Sequence, residues 1–221
     1  MSRLCAVPTC SSTTSGYSIH CEAHKRTLSR HGHPEQTSVS SIELKPYLAR
    51  VAARKSKNPE NPAWTLLQRR WEALTAHAQA TVDQFSSGTP GLSYERQAAQ
   101  QLVVLRDAVS AESVIDVSLA MLAFGEDRPT RFKSDRAFGF QLTRRVRRLA
   151  DVNTGSHWST AEGRMKRTYR DLPPRVLHCL AESLKVAFGV AGIRLAELDK
   201  RDAEGLTNER QQLSEALKEM K

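Results

Sequence analysis

The sequence has no phosphate-cradling G-x4-G-K-[S/T] loop, no G-x-S-x-G elbow and no H-E-x-x-H helix. These gaps remove the signatures of P-loop nucleotide hydrolysis, serine-hydrolase chemistry and zincin proteolysis. Histidine is scarce after residue 33: His77, His157 and His178 stand alone, so the compact His and Asn set of a His-Asn-His nuclease is missing. No stretch approaches the eighteen or so apolar residues of a membrane span, and no apolar run after Leu4 reads as a signal peptide. A soluble, cytoplasmic protein without catalytic activity or a membrane partner is expected. Cysteine is equally sparse beyond residue 21, where Cys179 alone, in an apolar helical pattern, reads as a small buried hydrophobe.

What is present is concentrated at the start of the chain. Cys5, Cys10, Cys21 and His24 follow the spacing C-x4-C-x10-C-x2-H. Two close pairs of soft or borderline donors separated by a loop are how a short peptide supplies a tetrahedral Zn2+. The segment between Cys10 and Cys21 offers only Tyr17 and Ile19 for burial, so metal binding would have to supply the folding free energy. Four protein ligands close the coordination shell and make the role structural. Cys21-x2-His24 suits the first turn of a helix, although His20, His31 and His33 compete for the fourth position. Lys25, Arg26 and Arg30 continue that helix and would offset the charge of about minus one left by three thiolates and one Zn2+.

The stretch from Cys5 to Pro34 resembles a zinc finger family of phage and mobile-element proteins. The matching residues are Cys5, Cys10, Gly16-Tyr17, Cys21, His24 and the tail Arg30-His31-Gly32-His33-Pro34. Two features depart from the pattern: Ser18, Ile19 and His20 separate Gly-Tyr from the cysteine, and His33 stands where an acid is common. In that family the finger accompanies homing-nuclease or DNA-binding domains. The resemblance therefore implies nucleic-acid work, with DNA favoured over RNA, and no particular reaction.

Charge is distributed in the same sense. The chain has 33 Lys and Arg against 24 Asp and Glu, a formal +9, which attracts polyanions. Residues 1–58 carry +6 and residues 131–175 carry +8, whereas 59–130 carry −4 and 176–221 carry −1.

Beyond the finger the pattern predicts a mainly α protein: finger over 1–36, basic helix and linker over 37–61, helical domain over 62–198, and a charged C-terminal helix over 199–221. A short helix is expected from Lys45 to Lys57 with Pro46 in its first turn. Trp64, Leu67, Trp71, Leu74, Ala78, Thr81 and Phe85, at alternating spacings of 3 and 4, predict one apolar face on a helix opened by Pro62. A loop over 86–91 leads to helices from Ser93 and, after a cap at Ser110, on to Phe124.

In the block 134–172, Phe138, Leu142, Val146 and Leu149 predict an inward helical face, leaving Arg144, Arg145, Arg147 and Arg148 flanking or outside. Ser159-Thr-Ala-Glu162 reads as a capping box that starts a second helix bearing Arg164, Lys166, Arg167 and Arg170. Two helices joined by a polar turn suggest a helix-turn-helix-like reader, although the joint from Asp151 to Trp158 is longer than usual. Trp158 next to that turn is expected in the core, with stacking on a base as the alternative. At the end of the chain, Leu206, Leu213 and Leu217 suit a short coiled coil or a partner-binding helix.

Three functions fit this pattern: a zinc-finger nucleic-acid-binding accessory or regulatory protein; a protein-interaction factor that inhibits or adapts a host complex; and a metal-dependent nuclease using Asp107, Glu112 and Asp116, should those acids share one continuous helical face. The first accounts for most residues.

Overall fold

The computed structural model describes residues 3–151, 154–161 and 163–219. Among them are seven α-helices and one two-stranded sheet, so the fold is mainly α. The N-terminal segment leads into α1 (Glu22–His31), which ends at Gly32 in the left-handed conformation. Helix α2 (Ser41–Lys57) begins earlier than predicted. The Ser40 side chain accepts from the Glu43 N–H and the Glu43 carboxylate accepts from the Ser40 N–H, a reciprocal cap that starts the helix at Ser41. Pro46 consequently falls in the second turn. Leu44, Tyr47 and Val51 of this helix are buried in the main core.

Helix α3 (Pro62–Ser86) opens as expected, with Asn61 capping Ala63 N–H and Pro62 in the first turn. Its buried face is Leu67, Trp71, Thr75 and Ala78, with Trp64 and Leu74 at the margin. Helices α4 (Ser93–Ala108) and α5 (Ala111–Asp127) are separated at Val109 and Ser110 by a bend of 119°. The Ser110 hydroxyl accepts from the Ser113 N–H and starts the second piece. Helix α5 is the hub. Val114, Ile115 and the run from Val117 to Phe124 are buried, and α2, α3, α6 and α7 all pack on it.

Helix α6 (Asp135–Arg147) is capped by Ser134 and followed by a hairpin of β1 (Thr154–Ser159) and β2 (Arg164–Tyr169). The hairpin corrects the predicted second helix of a helix-turn-helix: Arg164 to Tyr169, expected on that helix, form β2, and Glu162 of the expected capping box lies outside the described residues. The final helix, α7 (Pro174–Glu219), runs unbroken for 46 residues, about 69 Å at 1.5 Å per residue. Gly189 and Gly192 do not interrupt it. A Cβ at Gly192 would lie 2.3 Å from Leu122 Cβ, so this glycine lets α7 approach α5 closely.

One window of α7, with mean hydropathy 1.5, is long and apolar enough to cross a membrane by length and composition. Part of that apolar character is used internally: Val176, Leu177, Leu180, Leu184 and Phe188 are buried, whereas Val186 and Val190 are exposed.

Candidate metal centre and its link to the basic hairpin

The finger is built from backbone pairing around two turns. Cys5 N–H donates to Ser12 O, Thr14 N–H to Arg3 O and Ala6 N–H to Ile19 O, which folds the loop back over the first cysteine. Cys10 N–H closes a turn on Val7 O, and Val7, rather than Tyr17 or Ile19, is buried with Cys5 and Cys21. Tyr17 and Ile19 are exposed, correcting the expectation that they fill the interior. Cys21 is the residue immediately before α1 and His24 lies in its first turn, so the helix itself sets the spacing of this pair.

The four donors Cys5, Cys10, Cys21 and His24 lie within 4.8 Å of one another. Cys5 Sγ is 3.3 Å and Cys21 Sγ 3.4 Å from His24 Nδ1, and Cys10 Sγ is 3.9 Å from Cys21 Sγ. A tetrahedral centre with Zn–S near 2.3 Å and Zn–N near 2.0 Å requires S···S of about 3.8 Å and S···N of about 3.6 Å. The arrangement can hold a metal ion and is compatible with zinc. The other candidates for the fourth position are engaged elsewhere or not part of the cluster: His31 Nδ1 accepts from the Gln141 amide and His33 Nδ1 from the Glu35 N–H. His20 stands beside Cys5 with its Nδ1 buried and unpartnered.

The electrostatics favour a cation. Burial pushes the Cys5 thiol up, but the Cys21 and Val7 N–H groups and the His24 and His20 imidazoles outweigh it and lower it to about 6. At Cys21 the His24 N–H favours the thiolate, yet burial and the adjacent Cys10 and Cys5 raise its pKa. The sulfurs thus oppose one another's ionisation, and a bound cation relieves that opposition.

The predicted nucleic-acid residues fall into different environments. Lys25 and Arg26 are exposed on α1, Lys25 pairing with Glu22 at 3.4 Å. Arg30 pairs with Asp171 at 2.8 Å, and the other carboxylate oxygen of Asp171 accepts from Arg144. Arg144 and Arg147 are not outward-facing as expected: they are 8% and 2% exposed. Arg147 donates from Nε to Gln101 Oε1 and from its terminal nitrogens to Arg170 O. The physical reason is that the foot of the hairpin lies across this side of α6, a long-range contact that helical spacing cannot reveal. Arg145 is half-buried, with both terminal nitrogens 3.3 Å from Ser41 Oγ, and Arg148 is exposed. Arg164 is exposed at the start of β2 and Arg170 just after its end, while Lys166 and Arg167 lie within the strand, their side chains outside the described residues.

Asp171, unremarked in the sequence, therefore ties finger, α6 and hairpin together. Gly32 strengthens the joint, since a Cβ there would sit 2.9 Å from Arg136 O and 3.0 Å from Ala137 Cα. Gln141 completes it by donating to His31 Nδ1 and accepting from Val39 N–H. The Arg-His-Gly tail of the finger is thus its docking surface on the body. Trp158 is 58% exposed, which corrects its expected place in the core. The acids considered for a nuclease do not share a helix. Asp107 is in α4 and pairs with Arg106, while Glu112 and Asp116 in α5 flank the Lys55 ammonium at 2.8 and 2.9 Å. No protein-family model, curated protein or solved structure matches the chain.

Proposed function

We propose that this is a zinc-organised nucleic-acid-binding protein, acting on DNA in preference to RNA, that serves as an accessory or regulatory factor of a phage or mobile element. The observation that carries the reading is the mechanical joining of the two positive segments. Arg30, Asp171 and Arg144 connect the finger to the hairpin that bears Arg164, Lys166, Arg167 and Arg170. Cations on a fixed scaffold suit a phosphate backbone, because phosphate contacts set position while base contacts set sequence. The phage or mobile-element setting rests on the finger's resemblance. The zinc shell of Cys5, Cys10, Cys21 and His24 is closed, so the ion holds the finger together, and we assign the protein no catalytic step.

A salt series with duplex DNA, single-stranded DNA and RNA, on protein of measured zinc content, tests the reading. One zinc per chain and an affinity that falls about a hundredfold between about 50 and 200 mM salt are expected for four neutralised phosphates. Absent or salt-insensitive binding would overturn it. A second reading, that of a protein-interaction factor or self-associating chain, is favoured by one observation: residues 201–215 of α7 are exposed all round. Co-purification of a partner after nuclease treatment, or a concentration-dependent dimer, would support it.

A further inference from the structure

The hairpin presents an apolar pair where a solvated charged loop would ordinarily stand. Its register places Trp158 opposite Met165, one step inside the closing pair Ser159 and Arg164. Directly opposed residues of an antiparallel pair lie on the same face. Both are 58% exposed, so the pair helps to hold the strands together yet leaves more than half of its surface in water. The two strands make their principal contacts with each other, and their foot is clamped by Arg144 and Arg147 through Asp171 and Arg170 O. An arm fixed at its base and apolar near its tip has no structural need for an exposed indole.

We propose that Trp158 and Met165 form a base-stacking tip: the indole lies on the face of a nucleobase beside Arg164, and the phosphate backbone runs on along β2 towards Arg170 at the foot. This rests on the nucleic-acid reading above. Charge complementarity names the occupant. Over 154–170 there are four Lys or Arg and one acid, Glu162, and every base offers a π-face to an aromatic side chain whatever its identity. Met beside Trp adds an apolar wedge of the kind that enters between base steps in bent duplexes. The same chemistry is supplied by an unpaired strand or by an unstacked step of a duplex. A membrane surface fits less well, because two apolar side chains bury too little area to anchor there.

The test uses the full zinc-loaded chain with Trp158→Ala, Trp158→Phe and Arg170→Gln. Probes are a single-stranded deoxyoligonucleotide, the same strand with abasic sites, the matched duplex, a duplex with one mismatch, and anionic phosphatidylserine vesicles. W158A is expected to weaken binding about tenfold to a hundredfold with the salt slope unchanged, and W158F to retain most of the affinity. R170Q should lower the slope. Wild type should lose a similar factor on the abasic strand. A loss confined to the single strand identifies an unpaired base as the source, and one greatest on the mismatched duplex identifies an unstacked step. Wild-type affinity in W158A, with a normal salt slope, would overturn the tip and leave the nucleic-acid reading standing. Binding to vesicles alone, or to none of the probes, would overturn both. Because Trp158 is exposed, an unchanged melting temperature in W158A separates lost stacking from lost fold.

Discussion

Replacing Arg147 with Met separates the two roles an arginine in this block can have. The substitution keeps the aliphatic stem and removes the guanidinium that donates to Gln101 Oε1 and Arg170 O. Gln101 Oε1 and Arg170 O then lose these donors, beside a side chain that is only 2% exposed. Each such loss costs about 1–3 kcal/mol, and the guanidinium's own desolvation cost, now avoided, offsets part of it. A net loss of about 3 kcal/mol is expected, which for a chain of this size lowers the melting temperature by roughly 6–12 °C. Arg170→Met, which leaves the backbone carbonyl in place and changes only an exposed side chain, should stay within about 0.5 kcal/mol. Calorimetry on the two variants, with oligonucleotide affinity measured well below either melting point, is the assay. Should R147M melt with wild type while binding nucleic acid much more weakly, Arg147 is a phosphate contact and the clamp described here is wrong.

Three further outcomes are expected. Gly192→Ala should destabilise the protein by about 1–3 kcal/mol because its Cβ would collide with Leu122, whereas Gly189→Ala, with nothing within 4 Å, should stabilise it by about 0.5–1 kcal/mol; a melting comparison reporting the reverse order would refute the α5–α7 packing. Burial, and then the Arg144 guanidinium, hold His31 down at about 4. Folding therefore favours its neutral form, and its contribution is full above about pH 6.5 and declines as pH falls towards 4. With solvent screening at a half-buried group the loss is about 1 kcal/mol, visible as a flatter stability profile in His31→Gln between those pH values. Cys21→Ser should abolish metal binding and expose the finger's amides to hydrogen exchange while the circular dichroism of the helical body survives; collapse of the whole helical signal would contradict an independent core.

The metal cluster was legible because its information is local. Four donors of the right type lie within 20 residues, and the Cys21-x2-His24 spacing is fixed by a helical turn. The α3 seam was legible for a similar reason, since a 3.6-residue period writes the buried face into the chain. The hairpin was not. Ser159 followed three residues later by Glu162 satisfies a helix-start pattern, and nothing nearby records that the chain from Thr154 pairs instead with Arg164 to Tyr169. Arg144 and Arg147 were misplaced by the same limitation: they are three apart and share a face, but only the returning chain at Arg170 and Asp171 covers it. The docking role of Gly32 likewise depends on a backbone more than 100 residues away.

The unbroken course of α7 bears on how its far end would meet another molecule. An isolated helix of some twenty residues is marginal in water, because the first turn must be ordered before hydrogen bonds accumulate. Here residues 201–215 extend a helix whose opening turns are locked into the core by Leu177, Leu180 and Leu184, so nucleation is already complete. A partner that grips Leu206 and Leu213 meets a preshaped ridge and orders little chain on binding. Detaching the same segment as a free peptide should return that ordering cost to the binding reaction and weaken the association, although every contacting side chain would be the same.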